Sequence, residues 1–414
     1  MLLKEKLKKI NPIEGICFFA IVAGMIWFIL AQILTDGEAV YSLLFVQGND
    51  MFNDFFHCIY LVSSGEPLYG QFAMACYPPL AFVFYKIFGI FIPEEVRANF
   101  VMNNISVAIL GYFFVTVFGI FVFSVLIWKL KKGNYLVKIL FLMGILFSVP
   151  FIYLIERGNL LLYSISFLLF FLCGYDSPNK GVRECANIAL VISAVLKIYP
   201  VFFGILLLRE KRYAEIGRCI LYGLILFFVP FFIFGDISQF GMLISNIKMT
   251  NADFSQLGTG YRIDLSSTIV LLMNILGVSI GQESMKLHIL KWFIFFGTMI
   301  LSLLAKEKNE TILFITLMIV MLTEFSWIYN MVYLIIPLIF YANEDKCSLR
   351  EIIYTILILI TFIPITLGNQ YLEISSLVGY SNSIYTLICG IALITLLSFS
   401  VLTESVMIIL KRHN

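Results

Sequence analysis

The sequence predicts an all-α integral membrane protein. Apolar runs of about 20 residues, long enough to span a bilayer as a helix, recur along the 414 residues. Only 13% of the residues are charged, which is about half the share found in soluble proteins. Lysine and arginine are concentrated in alternate connecting segments. We expect one polytopic domain over residues 1–414. It would be a bundle of about 10–12 transmembrane helices, with helices on the outer surface and one broken half-helix pair.

The first predicted span is Ile13–Leu34. The segment before it contains four lysines (Lys4, Lys6, Lys8 and Lys9), so the positive-inside rule places the N-terminus in the cytoplasm. The apolar run is too long for a signal peptide and is followed by no small-residue cleavage site, which indicates a retained helix. Residues 36–103 then form a first external loop.

An apolar run inside this loop, Pro79–Ile92, is predicted to lie on the outer membrane surface. It has about 14 residues, too few to cross a bilayer, and Lys86 lies in its middle. The next span, Asn104–Trp128, then runs inward. It brings the lysine-rich segment after Trp128 to the cytoplasmic side, in agreement with the positive-inside rule.

A second irregular run, Asn187–Leu208, is flanked on both sides by basic segments and contains Lys197 and Pro200 near its centre. We expect two half-helices that enter and leave on the cytoplasmic side, with the break at Pro200. A broken helix is tolerated at membrane depth where it is buried or lines a cavity. The sequence therefore predicts a cavity near Lys197.

The remaining spans follow from the same rules. Residues 235–287 are predicted to form a second external loop with a short helix, and the C-terminus is predicted to be cytoplasmic. The further predicted spans are Leu136–Ile155, Leu160–Tyr175, Ala214–Phe234, His288–Ala305, Thr311–Phe325, Trp327–Tyr341, Ile352–Leu367 and Ser383–Ile409. This arrangement places most of the 28 lysines and arginines on the cytoplasmic side.

The first external loop contains the candidate catalytic acid, Asp54, with Asp50 as the alternative. A carboxylate beside an apolar bundle is partly desolvated, so it is a stronger base toward a hydroxyl group. The alternative interpretation is a solvated loop aspartate, or an N-cap for a helix over Phe55–Ser63.

Three cations are candidates for binding phosphate. Arg157 lies in a Glu-Arg-Gly-Asn segment between two spans, where a guanidinium can grip a phosphate or simply pair with Glu156. Lys197 is costly at membrane depth and therefore indicates a functional site, unless it extends to the cytoplasmic edge. Arg262 in the second external loop could supply a further phosphate contact.

Other candidate residues have aromatic or amide side chains that suit a sugar. They are His57, Tyr77, Asn159, Tyr199 and Tyr261, of which Tyr261 offers a stacking face. The three histidines and eight cysteines show no metal-binding spacing. We expect no metal, no cofactor and no nucleic-acid partner.

Five motifs together resemble the GT-C class of membrane glycosyltransferases, in particular glycosyltransferase family 87. In chain order they are Asn53-Asp54-Phe55-Phe56, Gly65-Glu66-Pro67-Leu68-Tyr69, Tyr77-Pro78-Pro79-Leu80, Glu156-Arg157-Gly158-Asn159 and Leu196-Lys197-Ile198-Tyr199-Pro200. The Lys-Ile-Tyr-Pro stretch is also similar to that of the GPI-anchor mannosyltransferase family. The second half of the chain matches only in its helix count and in having a second external loop.

The resemblance implies an inverting glycosyltransferase such as a mannosyltransferase. It would move a hexose or pentose from a polyprenyl-phosphate donor in the plasma membrane to a hydroxyl group of an envelope glycan or glycolipid outside. Asp54 would be the base, and Arg157, Lys197 and Arg262 would contact the donor phosphate. The chain departs from the family in lacking a paired-aspartate motif, since Asp50 and Asp54 are four residues apart.

Two other classes of membrane protein are considered. A lipid-linked glycan flippase would need a charged central cavity and is favoured by an internal repeat, which the sequence does not show. A polysaccharide polymerase or ligase would have its arginines and histidine in a large late external loop, whereas here the acids lie in the first loop.

Overall fold

The computed structural model describes residues 11–38, 43, 51–70, 75–99, 106–257, 262–278, 284–324, 326–344, 347–365 and 382–412. Within these ranges the chain is helical, and extended backbone pairs only as an isolated bridge between Arg262 and Trp327. The predicted all-α membrane fold is confirmed.

The α-helices are numbered here in chain order over the described ranges. They are α1 Pro12–Leu34, α2 Asn53–Ser63, α3 Pro79–Phe88, α4 Glu94–Asn99, α5 Ser106–Leu130, α6 Tyr135–Leu146, α7 Val149–Arg157, α8 Leu161–Gly174, α9 Lys180–Leu196, α10 Gly204–Arg209, α11 Tyr213–Phe228, α12 Gln239–Leu257, α13 Leu265–Ile275, α14 Met285–Leu304, α15 Lys308–Leu317, α16 Ile335–Tyr341, α17 Leu349–Ile360 and α18 Asn382–Arg412.

Five of these helices are long and apolar enough to cross a membrane: α1, α5, α11 with its 3₁₀ extension, α14 and α18. The pair α6 and α7, bent by 55°, adds a sixth. The expected number was higher because several predicted spans are interrupted. Thr311–Phe325, for example, is a short α-helix that continues as a π-helix over Met318–Leu322.

The chain divides into two compact units. The terminal unit consists of residues 1–44, 131–153 and 258–414, and the middle unit consists of residues 45–130 and 154–257. Each contains its own buried core, and each is described separately below.

In the terminal unit, α1 begins at a capping box that can be read from the sequence. The Asn11 side chain accepts a hydrogen bond from the backbone N–H of Glu14, the third helical residue, and the Glu14 side chain accepts one from the backbone N–H of Asn11. Pro12 occupies the first helical position. Glu14 also forms a 2.6 Å salt bridge with Lys131, which is 1% exposed. One lysine of the basic segment is therefore a buried structural residue.

In the middle unit, α8 packs between α5 and α9. Ser164 and Ser193 exchange hydrogen bonds with each other's carbonyl groups, at 3.0 and 2.6 Å, which fixes the register of α8 against α9. The helix α2 packs on α3 through an aromatic core in which Phe55 contacts Tyr85 of α3 and Tyr112 of α5, with ring centroids 6.2 and 5.0 Å apart. This core holds the start of α2 in place.

One break and one helix in the middle unit differ from the sequence prediction. The helix α9 ends at Leu196 and Lys197 has extended backbone angles, so the break begins three residues before Pro200. The predicted second external loop, for which the sequence predicts one short helix, also contains the 19-residue helix α12.

Candidate active site

The site is built around the tight link between α7 and α8. Gly158 ends α7 with φ +65°, and hydrogen bonds from Gly158 N to Ile155 O and from Asn159 N to Leu154 O complete a Schellman motif. The Asn159 Oδ1 atom then accepts from Leu161 N at 3.0 Å and starts α8. Arg157, the last residue of α7, and Asn159, in the three-residue link to α8, are thereby held close together.

Asp54 lies in the first turn of α2. The N-cap position belongs to Phe52, so Asp54 is not the N-cap that the alternative interpretation suggested. The Phe52 N–H donates to Glu156 O at 2.8 Å, which fastens the start of α2 directly to the end of α7. A carboxylate in this position is also stabilised by the positive end of the helix dipole.

The two side chains of the turn converge on the Asp54 carboxylate. The Arg157 guanidinium donates to Oδ1 at 2.9 Å and Asn159 Nδ2 donates to Oδ2 at 2.5 Å. These partners lie more than 100 residues from Asp54 in sequence. Each carboxylate oxygen is thus bound by a separate donor, which fixes the orientation of the carboxylate plane.

Tyr77 and Lys197 extend the same cluster. Asn159 Nδ2 also lies 3.2 Å from the Tyr77 hydroxyl, and Lys197 Nζ lies 4.7 Å from the centre of the Tyr77 ring. Lys197 is 8% exposed and directly follows the last residue of α9. Five of the residues predicted from the sequence therefore meet in one place: Asp54, Tyr77, Arg157, Asn159 and Lys197.

The Asp54–Arg157 pair is only partly buried. The side chains are 18% and 12% exposed, so a small ligand can reach them without a change of fold. His57 follows Asp54 by one helical turn and is half-buried. Burial lowers the pKa of His57 below its ordinary value, with Asp54 acting in the opposite direction, so the imidazole is neutral near pH 7.

Arg262 lies in the terminal unit and has a different environment. Its Nε donates to Asp264 at 2.8 Å, and the Asp264 carboxylate also accepts from the backbone N–H and hydroxyl of Ser267 at the start of α13. Arg262 is 3% exposed and Asp264 is fully buried. This geometry favours a structural role for Arg262.

The other predicted residues fall as follows. Tyr199 is half-buried in the 3₁₀ turn that follows Lys197. Asp50 and Tyr261 lie outside the described residues. In the described part of the chain, no group of three or more His, Cys, Asp or Glu side chains could hold a metal ion.

Two buried residues near the site, Gln239 and Asn246, were missed from the sequence, and Tyr69 was noted only as part of the Gly65-Glu66-Pro67-Leu68-Tyr69 motif. The Tyr69 hydroxyl donates to Tyr77 O at 2.8 Å, and both amides bind the Tyr69 backbone. The available signal was the spacing of Gln239, Leu243 and Asn246, which places all three on one face of a helix.

Comparison with known families identifies the family of the chain. The model of glycosyltransferase family 87 matches residues 75–328, more than half of the chain. The chain belongs to glycosyltransferase family 87. The matched residues of this family 87 glycosyltransferase include Tyr77, Arg157, Asn159 and Lys197, and begin after Asp54. No curated protein and no solved structure matches the chain.

Proposed function

We propose that this glycosyltransferase takes its sugar from a polyprenyl phosphate and inverts the anomeric centre, with Asp54 as the base. The acceptor is a hydroxyl group of an envelope glycan or glycolipid. The observation that carries the proposal is the convergence of Arg157 and Asn159 on the Asp54 carboxylate, with Lys197 and Tyr77 beside it.

In this mechanism the Asp54 carboxylate takes the proton of the acceptor hydroxyl. The acceptor oxygen forms a bond to C1 of the sugar as the bond between C1 and the phosphate oxygen breaks. The polyprenyl phosphate leaves as an anion, so the site requires cations rather than a proton donor at the leaving group. Attack from the face opposite the phosphate inverts C1.

Arg157 and Lys197 supply those cations. The guanidinium has a planar set of donors suited to a carboxylate and a phosphate together. In the absence of donor it orients Asp54, and with donor bound it also faces the phosphate. Lys197 acts as a point charge whose ammonium group lies over the Tyr77 ring. The mechanism assigns no phosphate contact to Arg262, because its salt bridge with Asp264 favours a structural role. The contact remains a prediction from the sequence resemblance alone.

The proposed location is the outer face of the plasma membrane, with both termini in the cytoplasm. The support is the distribution of lysine and arginine along the sequence, which puts the loop containing Asp54 on the side opposite the basic segments. A lipid-linked donor suits such a site because its tail stays in the bilayer while its phosphate lies at the surface.

The test is a transfer assay with purified protein and a panel of polyprenyl-phosphate monosaccharides, with a mixture of envelope glycolipids as acceptor. We expect transfer from at least one donor and a product whose anomeric configuration, read by NMR, is opposite to that of the donor. Transfer from nucleotide sugars instead would overturn the choice of donor. Retained configuration would overturn the single-displacement mechanism.

A further inference from the structure

The helix α12 presents two buried amides to the segment that precedes Tyr77. Gln239 and Asn246 are 5% and 6% exposed and lie on one face of α12, with the buried Leu243 between them. Leaving a buried amide without hydrogen bonds costs about 1–3 kcal/mol, so such side chains bind defined partners. Here the partners are backbone groups rather than other side chains of α12.

Asn246 bridges two points of the first external loop. Its Nδ2 atom donates to Tyr69 O at 3.1 Å and to Ala75 O at 3.2 Å. Gln239 Oε1 accepts from Tyr69 N at 3.2 Å, while its Nε2 donates to Phe234 O at 2.6 Å. The amides of α12 therefore fix both ends of the six-residue step from Tyr69 to Ala75, two residues before Tyr77.

A chain of hydrogen bonds continues from this clamp to the candidate base. The Tyr69 hydroxyl donates to Tyr77 O at 2.8 Å, and the Tyr77 hydroxyl lies 3.2 Å from Asn159 Nδ2. The same Asn159 nitrogen donates to Asp54 at 2.5 Å. Every group in this chain is in the middle unit, so a displacement of Tyr77 changes the contacts that orient Asn159.

We propose that Asn246 is a positioning residue of the transfer reaction: by clamping the backbone at Tyr69 and Ala75 it sets the position of Tyr77 beside Asn159 and Asp54. The proposal rests on the proposed function of Asp54. In this proposal α12, in the predicted second external loop, aligns Asp54, which lies in the predicted first external loop.

The first test compares Asn246→Leu, which keeps the side-chain size but has no donor, with Asn246→Asp and with Ser245→Ala. Ser245 is the exposed neighbour of Asn246 on α12 and serves as the matched control. We expect kcat at saturating donor to fall by at least about 10-fold in Asn246→Leu, because small misplacements of reacting groups have large kinetic effects. Ser245→Ala should match wild type.

The Asp variant adds a readout that a purely structural role would not move. At neutral pH its carboxylate cannot donate to either carbonyl, whereas at acid pH the protonated form offers one donor. The transfer rate of Asn246→Asp divided by that of wild type should therefore rise as the pH falls toward 5. The same ratio for Asn246→Leu should be flat with pH.

A second measurement does not depend on transfer. Cys76 lies between Ala75 and Tyr77, and burial raises the pKa of its thiol, so the native protein should react slowly with maleimide. We expect alkylation of Cys76, followed by peptide mass spectrometry, to accelerate several-fold in Asn246→Leu and not in Ser245→Ala. Unchanged alkylation with unchanged kcat overturns the positioning role. Faster alkylation in Asn246→Leu, when wild type itself transfers no sugar from any donor of the panel, keeps the clamp and overturns the proposed function instead.

Discussion

The two arginine–aspartate salt bridges in the described ranges have nearly the same length but different environments. Arg157 and Asp54 lie 2.9 Å apart with side chains 12% and 18% exposed, whereas Arg262 and Asp264 lie 2.8 Å apart and are 4% and 0% exposed. The first pair joins residues 103 positions apart in sequence, and the second joins residues two apart. Contact distance alone therefore does not distinguish a reactive pair from a structural one.

The two pairs differ in which groups bind the aspartate carboxylate and in whether that carboxylate is accessible. The Asp264 oxygens are occupied by the backbone and hydroxyl of Ser267 at the start of α13, in addition to Arg262. The Asp54 oxygens are held by two side chains on a rigid turn and remain accessible. The candidate base is therefore recognised by an accessible carboxylate on which side chains from distant parts of the sequence converge, and not by its burial.

The largest loss of transfer activity is expected from substitution of Arg157. Arg157→Met removes a donor from Asp54 and a cation from the proposed phosphate site, and we expect transfer to fall by about 10²–10³-fold. The measurement is kcat/KM for the donor on detergent-purified protein. Lys248→Met, on the exposed side of α12, is the control for loss of a positive charge. Equal rates for the two variants would contradict the assigned role of Arg157.

A smaller loss is expected from the turn that carries Arg157. In Gly158→Ala the new Cβ would lie 2.7 Å from Phe55 Cβ, and φ is +65°, so both α2 and the turn must shift. We expect a lower thermal midpoint and a fall in transfer of about 10-fold.

The control for this variant is Gly217→Ala. A Cβ at Gly217 in α11 would have no neighbour within 4 Å, so this change should lower neither quantity. A Gly158→Ala protein with native stability and native rate would show that the turn does not hold Asp54 in place.

Arg262 should respond in the opposite way to Arg157. Arg262→Met leaves Asp264 buried without its cation, which costs about 3–5 kcal/mol when one partner of a buried pair is removed. We expect a large drop in thermal midpoint, with the KM for donor of the folded fraction changing far less than in Arg157→Met. A donor KM that rises as much as in Arg157→Met would restore the sequence prediction of a phosphate contact at Arg262.

These contrasts also show what the sequence could predict. Lysine placement and apolar length were enough for the membrane class and for α1, and the Glu-Arg-Gly-Asn segment identified Arg157 and Asn159. A sequence does not state which distant side chains meet, so the clamp of Arg157 and Asn159 on Asp54 required the structure. The helix α12 was missed because its amides lower its hydropathy, although their spacing is helical.

The smallest expected effect is at His57 and concerns stability against pH. Burial lowers the pKa of His57, so the unfolded chain binds the proton more tightly and stability falls as the pH drops through and below about 6.5. We expect the thermal midpoint of wild type to decrease between pH 7.5 and pH 5 and this decrease to be shallower in His57→Gln. Parallel curves for the two proteins would show that His57 does not titrate differently on folding.

The central claim is that the Asp54 carboxylate takes the proton of the acceptor. Its most direct test is the single-turnover rate of sugar transfer by wild type and by Asp54→Asn, with the donor identified in the panel and equal amounts of folded protein. The amide keeps the size of the side chain and removes the base. The account predicts a loss of about 10²–10⁴-fold in rate per folded molecule. Transfer at the wild-type rate by Asp54→Asn would contradict it.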